Sequence, residues 1–176
     1  QVGEDGAHDL TVGPGVDLCI EIHRRLTPPE AVALARAIEQ YKPMFYEDPL
    51  RPNDPDAMGW VADHIHIPVA TGERFFSIYQ FQTLLNRRAV SYLRPDVCLC
   101  GGITGTKKVA AMAEANDCWI VPHNPLSIIS TAACLQVAAC IPNFAIQEYP
   151  TRTPDLDGSS AVLGDGMAIG LEEQVD

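Results

Sequence analysis

The sequence predicts an α/β fold, specifically a (β/α)8 TIM-type barrel that is incomplete in this chain, and three observations predict it. Apolar runs of strand length alternate with longer segments of helical character from about residue 17 to residue 149. The repeat is even, near 26 residues per strand–helix unit. Nearly every apolar run ends in a carboxylate or an imidazole. Alternation at this spacing means βαβ units and a parallel sheet. A doubly wound sheet shares the alternation, but the evenness of the period favours the barrel, where functional groups gather at the C-terminal strand ends. A complete barrel takes about 250 residues. With 176 residues, the chain is expected to supply about six strands, with at least two βα units lying before residue 1.

The elements follow in order. "DLCIEIH" (17–23) reads as a strand. A helix follows it, with Thr27 as N-cap, Pro28 in the first helical position and Glu30 closing a capping box. "PMFYED" (43–48) is the second strand, and Asp54 before Pro55 starts a helix running to about residue 65. "IPVATGE" (67–73) is the third strand, and a helix over 77–88 is capped by Ser77, with basic residues at its C-terminal end where they complement the dipole. "VSYLRPDVCL" (90–99) is the fourth strand, followed after two glycines by a helix over 102–117. "CWIVPHN" (118–124) is the fifth, with an apolar, buried helix over 130–140. "FAIQEY" (144–149) is the sixth. Residues 1–150 are thus expected to form a partial barrel carrying the catalytic site. Residues 151–176 form a tail in which "AVLGDGMAIG" reads as a hairpin or the start of a return to another domain.

Composition excludes several function classes. The net charge is −11, which argues against a nucleic-acid partner, because phosphate binding needs a Lys/Arg surface. No apolar run approaches the roughly 20 residues of a membrane span, and the N-terminal residues carry no signal-peptide pattern, so the expected location is the cytoplasm. The six cysteines lie mostly in apolar segments and read as small buried hydrophobes. Cys98-x-Cys100 lacks a second Cys/His pair at zinc-site spacing. Trp60 and Trp119 read as packing residues, His64 and His66 as surface residues, and His8 as a loop residue. Gly101-Gly102 fits a phosphate-binding helix start or a tight βα turn. Arg74 is placed either to meet a ligand or to brace Glu73.

The strand ends carry the chemistry. Glu21, Glu47 and Glu73 are spaced 26 residues apart. His23 follows Glu21, and Asp96, His123 and Glu148 end the later strands. In a closed barrel these side chains face one mouth. Three carboxylates there repel one another and at least one pKa rises. A divalent cation relieves that repulsion, and an all-oxygen ligand set suits Mg2+. Asp96 and His123 lie on neighbouring strands, where a carboxylate orients an imidazole as a general base.

The ordered set "EIH", "YEDPL", "ATGERF", "LRPDVCLCGGITG", "VPHNPLS" and "AIQE" resembles the barrel domain of the enolase superfamily, in its mandelate racemase/muconate lactonizing branch. Within that branch it is most similar to acid-sugar dehydratases of the galactonate dehydratase type. The resemblance covers about residues 17–150. It implies a hydro-lyase that removes water from a sugar acid (an aldonate) through an enediolate to give a 2-keto-3-deoxy acid in carbohydrate catabolism. It implies Glu21, Glu47 and Glu73 as Mg2+ ligands and His123 as the base, oriented by Asp96. It makes His23 the acid for departure of the 3-hydroxyl, and Glu148 a hydrogen-bond donor or electrostatic partner to the enolate oxygen. It also implies a small-molecule substrate, a homo-oligomer and an N-terminal capping domain. Two features depart from the family: its first ligand is usually Asp where this chain has Glu21, and its Lys-x-Lys-like segment does not occur here. Racemisation, epimerisation or cycloisomerisation from the same enolate, and a catalytically silent homologue or fragment, are the alternative outcomes.

Overall fold

The computed structural model describes residues 15–125 and 127–149; the hairpin expected near residues 161–170 and His8 lie outside them. Five parallel strands form one sheet in the order of the chain: β1 (Cys19–Glu21), β2 (Phe45–Glu47), β3 (Val69–Thr71), β4 (Tyr92–Leu93) and β5 (Trp119–Ile120). Five helices intervene or follow: α1 (Pro28–Ile38), α2 (Pro55–His64), α3 (Ile78–Asn86), α4 (Gly102–Glu114) and α5 (Ile128–Ala138). A doubly wound sheet would break the strand order at a switch point. Here the order never reverses, and each helix packs against the next. This is the wall of a (β/α)8 barrel, with five of its strands present among the described residues.

Local chemistry sets the helix starts. The Glu30 carboxylate accepts from the Thr27 N–H at 2.8 Å and from its hydroxyl at 2.6 Å. Asp54 Oδ1 accepts from the Ala57 N–H at 2.9 Å. Ser77 donates to Gln80 Oε1 from both its N–H and its hydroxyl. Each device satisfies backbone or side-chain donors that a helix start leaves free. Helix α5 starts at Ile128, two residues before the expected start, because Ser127 accepts from the Ser130 N–H. Its Ile129 is 79% exposed, so this helix is apolar but not buried all round.

Strand alternation splits the apolar residues into two layers. Tyr46, Val69, Leu93 and Ile120 face the helices and pack with Ala31, Val61, Phe81 and Val109. Phe45, Ala70 and Val121 face the other way, with Cys19, Tyr92 and Ile146 against them. The Tyr46 hydroxyl, buried, donates to the Ala31 carbonyl at 3.3 Å.

Three expectations are corrected. The run 144–149 is not a strand; it makes one parallel bridge, Phe144 to Ile120. The Ile120 N–H donates to the Asn143 carbonyl and the Ala145 N–H to the Ile120 carbonyl. The next rung needs an N–H from residue 122, which is proline. The run 90–99 forms a ladder only at Tyr92–Leu93. Beyond Pro95, Asp96 Oδ1 accepts from the Cys98 N–H at 2.7 Å and the chain coils into a turn through Gly101 and Gly102, both at positive φ. Trp60 and Trp119 are 42% and 48% exposed, so neither is a core packing residue.

Gly105 marks the tightest approach of α4 to that turn. A Cβ there would sit 1.8 Å from the Cys100 carbonyl oxygen, a backbone atom that cannot swing aside. Gly105→Ala is therefore expected to destabilise the fold by at least about 1–3 kcal/mol, measured by urea denaturation followed by circular dichroism.

Candidate functional site

Period-two alternation, read from the inner layer, delivers most of the site. Cys19 faces inward, so Glu21 does too. Phe45 brings Glu47 with it, and β1 and β2 are in register with Glu21 opposite Glu47. Tyr92 sets Arg94 and Asp96 inward, Val121 sets His123, and Ile146 sets Glu148. Glu73 does not follow this rule. Ala70 faces inward, so alternation alone would turn Glu73 toward the helices. Gly72, at φ +127°, breaks the strand just before it, and Glu73 joins the cluster. A Cβ at Gly72 would lie 2.7 Å from Phe81 Cε1 in the core, so both conformation and space require glycine there.

Glu21, Glu47 and Glu73 each offer an oxygen, and these oxygens lie within 4.8 Å of one another. The extra methylene of Glu21 does not keep it out of the cluster. Glu47 and Glu73 are buried and Glu21 is half-buried. Burial, then the negative charges of Asp48 and Glu73, push the Glu21 carboxyl up to about 7. Burial, Glu21 and Asp48 push Glu47 well above the usual carboxylate range, against the pull of Arg94. Glu21 Oε2 and Glu47 Oε1 are buried and receive no hydrogen bond from the described residues. Buried carboxylate oxygens without donors, gathered within the span of one shell of ligands at about 2.0–2.6 Å from its centre, fit a hard divalent cation.

Two arginines that sequence reading passed over balance these charges. Arg94 is 4% exposed. Its Nε lies against Glu47 Oε1 as an ion pair without hydrogen-bond alignment, and its Nη2 donates to Glu148 Oε2 at 2.7 Å. Burial opposes its charge, but the surrounding carboxylates outweigh burial and raise its pKa. Arg24 donates to Asp48 Oδ2 at 2.8 Å and to Glu73 Oε1. Asp48 is itself buried and also accepts from the Thr71 hydroxyl. The signal for Arg94 was available: it stands two residues before Asp96 in the run expected as the fourth strand, so period-two alternation puts both on one face. Arg24 carried no such signal, because His23 and Arg24 adopt positive φ values of 55° and 64° and leave the strand geometry altogether.

His123 and Asp96 form the expected pair. Asp96 and His123 make a parallel bridge, and His123 Nδ1 lies 2.9 Å from Asp96 Oδ2. Burial resists protonation of the imidazole, yet the Asp96 hydrogen bond with Glu148 and Glu73 raises its pKa. Burial works against the Asp96 carboxylate, but hydrogen bonds from His123, Cys98 and Leu99 lower its pKa overall. His123 Nε2 lies 3.3 Å from Glu73 Oε2, so the dyad abuts the carboxylate cluster. Glu148 Oε2 also accepts from the Asn124 N–H at 2.7 Å. Asn124, fully buried, donates to the Thr131 hydroxyl and the Glu148 carbonyl, tying the strand end to α5. The His23 side chain is 54% exposed, with its Nδ1 3.8 Å from Glu21 Oε1. Its Nε2 lies 2.8 Å from Arg24 Nη2, and since a guanidinium only donates, Nε2 accepts. Arg74 is exposed and makes no hydrogen bond or ion pair to Glu73 among the described residues.

Residues 8–169 match the family model described as Enolase C-terminal domain-like. The chain is 40% identical over 136 residues to a D-galactonate dehydratase of Ralstonia pickettii (strain 12J), covering 77% of this chain and 36% of that protein. It is 38% identical over 136 residues to a D-galactonate dehydratase of Cronobacter sakazakii (strain ATCC BAA-894), with the same coverage. The chain thus spans just over a third of the length of these curated relatives. Among solved structures, a mandelate racemase/muconate lactonizing enzyme-like protein from Roseovarius sp. TM1035 superposes with a TM-score of 0.79 at 40% identity, over 81% of this chain and 36% of that one. A second, from Rubrobacter xylanophilus DSM 9941, gives 0.77 at 35% identity, over 79% and 35%.

Removing the buried cation tests the electrostatic account. Arg94→Leu leaves Glu47 and Glu148 without their counter-charge and is expected to cost about 3–5 kcal/mol of stability. The measurement is urea denaturation at neutral pH. A loss below about 1 kcal/mol would mean that these carboxyls do not depend on Arg94.

Proposed function

This chain belongs to the Enolase C-terminal domain-like family, and from that membership and the site geometry we propose that it carries the catalytic face of a Mg2+-dependent sugar-acid dehydratase. The observation that carries the reading is the contact of two units. A His–Asp pair, with His123 Nδ1 2.9 Å from Asp96, presents its other nitrogen 3.3 Å from a member of the three-glutamate cluster. A base is thereby held beside the place where an acid substrate's carboxylate would be fixed.

Glu21, Glu47 and Glu73 would hold the cation. When bound, a divalent cation neutralises charge that develops on the substrate carboxylate as the α-proton leaves. Asp96 accepts the Nδ1 proton and so leaves the His123 Nε2 lone pair free to take the proton from C2. The electrons left on C2 form an enediolate and then expel the C3 hydroxyl. His23, on the exposed side of the cluster, supplies the proton with which that hydroxyl leaves as water; it does so as the imidazolium, in which Nε2 also carries a proton and gives up its contact with Arg24. The enol product tautomerises to the 2-keto-3-deoxy acid. Glu148, held by Arg94 and the Asn124 N–H through Oε2, has Oε1 for a hydrogen bond to the enolate oxygen when protonated. With Arg94 it otherwise acts electrostatically. D-Galactonate dehydratases among the relatives support a sugar acid as the substrate class.

The test is a panel of aldonates with Mg2+, read by formation of 2-keto-3-deoxy acid. Turnover is expected for at least one, lost in EDTA and restored by Mg2+. His123→Asn is expected to lower kcat by about 10²–10⁴-fold, with exchange of the C2 proton lost in parallel. Turnover of no sugar acid, with C2 proton exchange in a simple hydroxy acid instead, would replace dehydration by racemisation. Independently, Glu47→Gln is expected to weaken Mg2+ binding by at least about tenfold in titration calorimetry, since it removes one of three anionic ligands.

A further inference from the structure

A cleft of about 360 Å³ lies between the β1–α1 and β2–α2 loops, and the functional reading leaves it without a role. Its apolar lining includes Leu26 and Leu50, and three guanidinium-bearing residues line it: Arg24, Arg25 and Arg51. Backbone hydrogen bonds continue the β1–β2 ladder into these loops, from the Arg24 N–H to the Asp48 carbonyl at 2.7 Å and from the Leu26 N–H to the Pro49 carbonyl at 3.4 Å. The two walls are therefore fixed to each other rather than hanging separately.

The charge balance of the cleft runs against that of the chain. The sequence has 23 acidic residues against 12 Lys and Arg, yet Arg25 and Arg51 have no carboxylate within ion-pair distance among the described residues. The acids nearest in sequence are already engaged. Asp54 is the one acid in the cleft lining and caps α2 through the Ala57 N–H, so Arg25 and Arg51 outnumber it; Glu30 holds Thr27, and Asp48 is taken by Arg24 and Thr71. Arg24 stands between the cleft and the carboxylate cluster, since it is among the residues lining the cleft and its guanidinium donates to Asp48 and Glu73. Two arginines without a carboxylate partner, lining a cleft that also has leucines in its wall, suit a planar or tetrahedral oxyanion on a short carbon chain.

We propose that this cleft receives the far end of the substrate, and that this end is a second oxyanion, a carboxylate or a phosphate monoester, held by Arg25 and Arg51. The inference rests on the sugar-acid reading for the placement of the first carboxylate at Glu21, Glu47 and Glu73. It narrows the substrate class from aldonates to sugar acids charged at both ends.

The test is binding, which needs no turnover. Titration calorimetry with Mg2+ would compare, in galacto, gluco and manno configurations, the six-carbon aldonate, the matching diacid and the matching 6-phosphoaldonate. In at least one configuration a doubly charged ligand is expected to bind at least tenfold tighter than its aldonate. The Arg25→Gln/Arg51→Gln variant is expected to bring that ratio to about one, and a ratio is insensitive to partial loss of folded protein. Preference for the diacid identifies a carboxylate at the far end, and preference for the phosphate ester identifies a phosphoryl group. Equal affinities in every configuration, or a preference that survives in the double variant, would overturn the proposal. A preference abolished by the variant, with no dehydration of any ligand, would sink the dehydratase reading and leave the cleft assignment standing. Dehydration of an aldonate with no preference for a second charge would do the reverse.

Discussion

Carboxylates taken out of water must be protonated, paired or bound to a cation, and that constraint organises this molecule. Glu47, Glu73, Asp48 and Asp96 are all buried at the strand ends. Isolated, each would lose several kcal/mol of hydration. The chain answers with Arg94 between Glu47 and Glu148, Arg24 between Asp48 and Glu73, and His123 between Asp96 and Glu73. Each of these three side chains touches two acids from different strand ends, so they also clamp neighbouring strands at their open ends. The compensation is partial. Glu21 and Glu47 remain shifted toward the neutral form by burial first and by neighbouring carboxylates after it, and a divalent cation would offset both.

Backbone geometry decides which charges can meet. Extended backbone presents every second side chain to one face. This brings Glu21 and Glu47 together within their strands, and Arg94, Asp96 and His123 join them just past β4 and β5, where Asp96 and His123 still make a parallel bridge. The exceptions need a special device. Gly72 redirects Glu73, and His23, Arg24 and Asp48 all sit at positive φ just past their strands. Non-glycine residues held in that region carry strain and persist where surrounding contacts over-determine them. Here those contacts are the ion pairs themselves, with Arg24 bonded on both sides.

Much of the fold was legible because its signals are local. Caps at Thr27, Asp54 and Ser77, prolines at helix starts and apolar runs at a constant interval each report on a few neighbouring residues. Where reading failed, the cause was a pairing rule or a surface that only neighbours define. Residues 144–149 look like a strand, but the rung they need falls on Pro122. Trp60 and Trp119 look like core residues by composition, yet one stacks on His64 with ring centroids 4.2 Å apart while both stay half-exposed. Candidate ligands and the dyad were legible as residues at strand ends. Asn124, which ties Glu148 to α5, was not, because a buried asparagine next to the inward-facing His123 falls on the other side of the alternation.

The sequence by itself determined the alternation, the barrel type and the set of acids and imidazoles available at the strand ends, since strand period and helix capping are written in adjacent residues. It also contained the departure at Glu21 from the family's usual Asp. Tertiary structure alone decided whether that departure matters to convergence. Glu21 reaches the cluster because its strand is in register with Glu47 and its side chain turns back to accept the His23 N–H. Tertiary structure also decided which cation serves which anion, and which arginines keep an open face, because charge pairing depends on distances across strands and loops that no local pattern encodes.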